Sequence, residues 1–301
     1  MRPAVASRFL RGRFSVPVDL GLFVLLVTIT GVVAGLVGSL SGLGGAVVVI
    51  PVLVILFGVP FPEAAGAGFV TILATSSSAG AAYVRDHLSD LRIGMFLEIA
   101  TVPGALAGAT FTVLLVHQSL ENALLVALGV VLLLIIPGSL SRRNQELPVG
   151  VVPDARARRF ALRGTYYDEF HRREVDYVAA DTTSALGVMF GAGVVSGMFG
   201  IGGGVFKVLA LERYLKLPMK VATATSNFMI GVTAAAGAGI MFAAGYVDPV
   251  VAAPAALGTA AGAFAGSRLL PGMSNRTVRL LFVPVIAALA VETMLRGLGL
   301  P

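Results

Sequence analysis

Two glycine-rich pentads interrupt otherwise apolar sequence: Gly42-Leu43-Gly44-Gly45-Ala46 and Gly200-Ile201-Gly202-Gly203-Gly204. Adjacent glycines weaken a helix, so each pentad reads as a break after which a new helix begins. The first amides of such a helix lack partners and stand at the positive end of its dipole. That is the chemistry of an anion cradle, and glycine suits it by tolerating unusual dihedrals and letting a ligand reach the backbone. Close helix packing competes with this reading. It is the better account of the glycines at four-residue spacing, Gly31/Gly35, Gly38/Gly42, Gly104/Gly108 and Gly258/Gly262/Gly266. A nucleotide-binding glycine loop needs a strand before it and a soluble βαβ unit around it, whereas both pentads here are flanked by long apolar runs.

Beyond each pentad lies a polar stripe within apolar sequence: Thr71, Thr75, Ser76, Ser77 and Ser78, then Thr223, Thr225, Ser226, Asn227 and Thr233. Hydroxyls and an amide replace water around an oxyanion without adding a fixed charge. Interhelical bonding or back-bonding within a helix is the alternative. Lys207 sits three residues past the second pentad, and a cation at membrane depth is a functional candidate by default; snorkelling toward the nearby Glu212 and Arg213 is its other reading. Glu98 is a candidate proton carrier, with a water-facing position as the alternative. His87, His117 and His171 share no ligand-like spacing, so no metal site is expected. Nucleophile elbows and His-Glu-x-x-His motifs are absent from the sequence, so no enzyme and no cofactor are expected.

These residues are carried by a chain of 301 residues that is 56% hydrophobic and 13% charged, with mean hydropathy +0.90. A soluble domain carries about 25% charged residues. Of the 38 charged side chains, 15 fall in 141–183 and 5 in the first 19 residues, leaving membrane-grade sequence elsewhere. Zero Cys excludes disulfides, thiolate metal sites and cysteine nucleophiles. The +6 net charge is read as a topology signal rather than a nucleic-acid footprint, so no nucleic-acid partner is expected. The lipid bilayer is the expected surrounding, in an integral, multi-pass cell-membrane protein, and a homo-oligomer is compatible with the sequence.

Ten apolar stretches divide five and five, giving a basic segment 1–17, a first membrane unit 18–140, a polar linker 141–183 with a short helix near 154–176, and a second membrane unit 184–301. The opening Arg2, Arg8, Arg11 and Arg13 resemble a signal peptide, but the apolar run continues to about Leu40, longer than the usual ~7–15-residue core, so the segment is read as retained. Residues 31–110 overlay 189–268 without a gap, with identity at 18 of 80 positions, among them Gly35/Gly193, Gly42/Gly200, Gly44/Gly202, Pro60/Pro218, Thr75/Thr233 and Asp90/Asp248. An odd number of crossings per unit gives inverted repeats, the plan of many secondary transporters. With a cytoplasmic linker, the loops at 85–92, 213–220 and 268–279 share its side as the positive-inside rule requires. The basic N-terminus then falls on the far side, against that rule.

The Ser39-Leu40-Ser41-Gly42-Leu43-Gly44-Gly45 stretch running into Pro51, its second copy at Ser196-Gly197-Met198-Phe199-Gly200-Ile201-Gly202-Gly203-Gly204, Ala224-Thr225-Ser226-Asn227, and the Asp90/Asp248 landmarks resemble the TauE/SafE (TSUP) family of sulfite and organosulfonate transporters. The resemblance covers nearly the whole chain apart from the linker. It implies an all-α, inverted-repeat membrane carrier with helices broken or short at its Gly-rich motifs, handling a small sulfur oxyanion such as sulfite, thiosulfate or sulfoacetate. Departures are Leu209 where the first copy has Pro51, Lys207 in place of an apolar residue, and Ala67-Gly68-Phe69 against Thr225-Ser226-Asn227. The expected substrate shell comprises Gly42, Gly44, Gly45, Thr75, Ser76, Gly200, Gly202, Gly203, Gly204, Lys207, Thr225, Ser226 and Asn227, with Glu98 for proton coupling. The rival readings are a channel or a carrier of another small ion, and a membrane scaffold whose linker docks a partner.

Overall fold

A computed structural model describes residues 20–140, 151–168, 172–269 and 275–299. The basic segment 1–17 and the whole 141–150 stretch of the linker lie outside them, as does His171. Eleven helices and one β-hairpin account for the described elements: α1 (Leu20–Ser41), α2 (Ala46–Phe57), α3 (Phe61–Arg85), α4 (Leu91–His117), α5 (Glu121–Leu140), α6 (Ala155–Arg159), β1 (Arg163–Asp168), β2 (Arg173–Val178), α7 (Thr182–Phe199), α8 (Gly204–Arg213), α9 (Met219–Ala243), α10 (Pro249–Leu269) and α11 (Asn275–Gly297). Six of them, α1, α3, α4, α7, α9 and α10, are long and apolar enough to cross a membrane. Their outer faces match acyl chains: Ile99 is 72% exposed and Leu257 71%.

Turn chemistry sets the helix ends. Pro60 and Pro218 precede the first residues of α3 and α9, and the Asp90 carboxylate accepts the Ile93 amide at 3.0 Å to open α4. α2 and α8 stop short for their role: 12 and 10 residues at ~1.5 Å each reach only ~18 and ~15 Å, about half the hydrocarbon thickness. Each folds back on the helix before it. The Phe23 and Phe57 rings meet at 5.2 Å, so α2 ends beside the start of α1, and the Ala180 amide donates to the Leu215 carbonyl at 3.2 Å, so α8 ends beside the start of α7. The chain therefore forms two helical hairpins with glycine tips.

The scaffold around the hairpins is packed through small residues. α1 lies along α10 and α4 along α7. A Cβ on Gly31 would fall 2.7 Å from the Ala255 carbonyl oxygen, and one on Gly35 2.7 Å from Thr259 Cα; on the other side, one on Gly193 would fall 3.0 Å from Thr101 Cα. The four-spaced glycines thus serve close backbone approach. Each pairing has a counterpart 158 residues on, Gly35 on Thr259 answering Gly193 on Thr101.

The linker departs from the expected solvated helix. Only one turn, α6, is helical; β1 and β2 then pair antiparallel with Arg163 opposite Val178. The reason is alternation: Tyr166, Val175 and Tyr177 fall on one face and bury against Leu88, Leu211, Leu215 and Leu217, while the Thr165 hydroxyl donates to Asp176 at 2.6 Å on the other. The Tyr177 hydroxyl donates to the Asp90 carboxylate at 3.0 Å, and Arg92 donates to the Ala161 carbonyl at 3.1 Å. This fastens the linker to the ends of α3 and α4, hereafter the linker end.

Candidate functional site

The two hairpins enter from opposite ends and their tips meet. α7 and α8 are rooted at the linker end; α1 and α2 are rooted where α3 begins, at the opposite end. Each tip turns on left-handed glycines, Gly42 (φ 75°) and Gly44 (φ 80°) in one, Gly200 (φ 66°), Gly202 (φ 77°) and Gly203 (φ 61°) in the other. Only glycine adopts that conformation without strain. Gly42 lies against Thr223 near the start of α9, and Gly200 against Ala65 near the start of α3. Between them, Gly44 and Gly202 both face Ile72 and Ile230, at the midpoints of α3 and α9. Gly204, the first residue of α8, rests on Leu43 and the Gly42 carbonyl. α2 and α8 thus begin at one crossing and run away in opposite directions. Leu43, Ile201, Ile72 and Ile230 are buried there, so the crossing is closed.

Polar groups from α9 secure it. Ser226 donates to the Gly42 carbonyl at 2.9 Å and lies 3.4 Å from that of Gly204, tying both tips to one side chain. The Asn227 amide nitrogen donates to the carbonyls of Ser39 (3.0 Å) and Thr223 (3.1 Å). Both partners are acceptors, so the amide orientation is fixed, and its oxygen, together with the Thr223 and Ser196 hydroxyls, is buried without a protein partner. Such atoms at a helix break are where a polar guest or water is accommodated.

Lys207 and Glu98 come together here, 0% and 4% exposed. The Lys207 ammonium donates to Glu98 at 3.4 Å, to the Met229 carbonyl at 3.1 Å and to the Thr233 hydroxyl. The Thr233 oxygen stands 2.9 and 3.0 Å from the two Glu98 oxygens. Lys207 therefore does not snorkel, and Glu98 does not face water. The cluster is adjacent to the crossing: the Lys207 amide bonds the Gly203 carbonyl at 3.1 Å, and Thr233 lies one turn along α9 from Ile230.

Other sequence candidates lie differently. Gly45 caps the start of α2 with right-handed torsions (φ -68°, ψ -23°) and packs on Ala34, Gly35 and the Thr259 methyl. Thr75 donates back to the Thr71 carbonyl at 2.8 Å, and Ser76 reaches the Phe228 carbonyl across α9 at 3.4 Å. Thr225 turns to the linker end, where it accepts the Asp90 amide at 3.0 Å. Tyr83, which donates to the Ser39 carbonyl at 3.1 Å beside Asn227, carried no sequence signal. At the end opposite the linker a cavity of about 650 Å3 opens between Val54, Gly58, Phe61, Glu121, Leu125 and Arg296. Arg296 donates there to the carbonyls of Val54 (3.0 Å) and Ile55 (2.6 Å), holding the last turn of α2. Among the described residues no group of three His, Asp or Glu is placed to hold a metal ion.

Apolar helices of spanning length around broken, half-length helices define a multi-pass membrane protein built as a transporter. Residues 27–293 match the family described as sulfite exporter TauE/SafE, and the chain belongs to it. It is 29% identical to the probable membrane transporter protein YunE of Bacillus subtilis (strain 168), over 92% of this chain and 98% of that protein. Similarity extends to the probable membrane transporter proteins YdhB (26% identical, 89% of this chain and 98% of the relative) and YjnA (26%, 86% and 95%) of the same organism. No solved structure matches the chain at a significant level.

Proposed function

We propose that this transporter carries a small sulfur-containing oxyanion, such as sulfite, thiosulfate or sulfoacetate, by alternating access between two inverted halves. The anion binds at the crossing of the hairpin tips. The observation that carries this reading is the meeting of the two glycine tips, Gly204 on Gly42 and Leu43, from which α2 and α8 start, so that first-turn amides and helix dipoles present positive ends from opposite directions. The family's description as a sulfite exporter points to the same ligand class. Reciprocal contacts support inverted halves: Gly44 on Ile230 answers Gly202 on Ile72, and Gly42 on Thr223 answers Gly200 on Ala65, each 158 residues apart. The linker end is the cytoplasmic one, consistent with Arg85, Arg92, Arg213 and Lys216 gathering there. Ser226 and Asn227 complete the shell once the closed crossing opens.

The test is a thermal-shift panel of purified protein against sulfite, sulfate, thiosulfate, sulfoacetate, taurine and chloride, followed by flux of the stabilising anion in proteoliposomes. A ligand that binds only the folded state raises the midpoint by mass action. A shift with a sulfur anion, and saturable flux abolished by Gly44→Leu or Gly203→Leu, supports the carrier. Non-saturating currents overturn alternating access in favour of a channel. A panel with no shift and no flux overturns the anion assignment.

A further inference from the structure

Lys207 has three ammonium hydrogens and three acceptors, so in this closed arrangement it has no donor to spare for a substrate. Glu98 already occupies the place of an anion beside it. An incoming monovalent anion that bound Lys207 while Glu98 stayed ionised would leave an uncompensated negative charge in a dry membrane layer, which low dielectric makes unfavourable. A proton on Glu98 removes that charge.

We propose that Glu98 and the transported anion exchange as partners of Lys207, so that each monovalent anion bound is accompanied by one proton taken up on the Glu98 carboxyl. The exchange rests on the anion-carrier reading above. The proton comes from water on whichever side the site is open, the Lys207–Glu98 contact breaks, the Lys207–anion contact forms, and the net charge of the site is unchanged. Thr233 stays with either partner: its hydroxyl accepts from Lys207, and it faces both Glu98 oxygens. The cluster belongs to one half only, since the positions 158 residues away from Lys207, Glu98 and Thr233 are Val49, Ala256 and Thr75.

Among the described residues no other charge competes for this layer. On α4 itself Asp90 and Arg92 stand at the first turn and His117 at the last, and on α8 Glu212 and Arg213 lie in the final turn. The elements packed on the pair carry their charges at their ends as well: Lys220 on α9, Glu121 on α5, Asp181 capping α7, and Glu63 and Arg85 on α3. Among the described residues the buried charged side chains are Lys207, Glu98 and Glu63, and Glu63 sits in the first turn of α3 at the opposite end.

Calorimetric titration of the purified full chain with sulfite, in two buffers of different ionisation enthalpy, counts the protons taken up on binding. Sulfite's own titration is common to all variants, so the difference between wild type and Glu98→Gln isolates the protein's share. The expected difference is about one proton per anion, with wild-type affinity falling up to about tenfold per pH unit relative to a Glu98→Gln protein that lacks this slope. Infrared difference spectra of wild type should gain a protonated-carboxyl band on sulfite addition, and this readout stands even where Glu98→Gln does not fold. Sulfite binding with equal proton uptake in both proteins, or without that band in wild type, overturns the exchange and leaves the carrier reading intact. Failure of wild type to bind sulfite, thiosulfate and sulfoacetate overturns the carrier reading, and the exchange falls with it.

Discussion

Gly204→Ala tests the crossing with one methyl group. Gly204 is the first helical residue of α8 and has no left-handed torsion to satisfy. In an isolated helix, alanine would be favoured there by up to ~1 kcal/mol. At the crossing the new Cβ would stand 2.5 Å from Leu43 Cα and press on the Gly42 carbonyl oxygen. Carbon atoms settle at about 3.5–4.0 Å, so the tips must separate by roughly 1 Å. The obstructing atoms are backbone, so no rotamer change relieves them, and overpacking of this kind costs about 1–3 kcal/mol. The same exchange at Gly191, on α7 with nothing within 4 Å of a Cβ, has no such obstacle. Thermal unfolding of the detergent-solubilised protein should therefore place Gly204→Ala below wild type and Gly191→Ala at or above it, and anion flux in proteoliposomes should fall only in the former. A Gly204→Ala protein as stable and active as Gly191→Ala would refute the idea that the two tips touch.

Removing one member of a buried ion pair strands the other, at about 3–5 kcal/mol, so Lys207→Met should lower the unfolding midpoint sharply and Lys207→Met/Glu98→Gln should recover most of the loss. Tyr177→Phe removes the hydrogen bond from the hairpin to the Asp90 carboxylate; limited proteolysis within 163–178 should accelerate while the membrane helices stay protected. The linker should also loosen in acid. Burial raises the Asp154 carboxyl, but the Thr182 hydroxyl, the Ala157 and Thr182 amides and the Arg156 charge together outweigh it and hold the group below its ordinary value. A depressed carboxyl contributes stability above its unfolded value, about pH 4, and loses it as pH falls further. Hydrogen exchange in 154–182 should therefore rise in that acid window, and Asp154→Asn should show the raised exchange already at neutral pH.

Much of this architecture is legible in the sequence because glycine carries its physics locally. A pair of glycines breaks a helix wherever it stands, and a four-residue glycine stripe admits a neighbouring backbone, so the two helix breaks and the existence of close seams follow from spacing, while the partners, α1 with α10 and α4 with α7, do not. The Lys207–Glu98 contact does not: its members are 109 residues apart, and nothing in the local pattern of either helix names the other. The orientation of α9 was equally hidden, since Thr225, Ser226 and Asn227 are consecutive yet serve the linker end, both tips and the end of α1 respectively. The β-hairpin leaves no clear apolar pattern in the sequence because its outer face is charged. Tyr166, Val175 and Tyr177 become a buried face only once the ends of α4 and α8 lie beneath them.

The most informative departure from the repeated pattern is charge. Backbone contacts recur in pairs 158 residues apart, yet Lys207 answers to Val49, Glu98 to Ala256 and Asn227 to Phe69. A duplicated scaffold needs only matching backbone approaches to build two tips that cross. On the anion-carrier proposal the guest needs more, because two symmetric cations facing one site would hold a single anion too firmly to release it. Under the proposed exchange, one ammonium and one carboxylate on one side of the 158-residue correspondence give the crossing a neutral resting state and one adjustable charge. Building a second pair by Val49→Lys/Ala256→Glu should on this argument slow release, read as tighter equilibrium binding with reduced flux; unchanged binding and flux would show that this asymmetry has no part in transport.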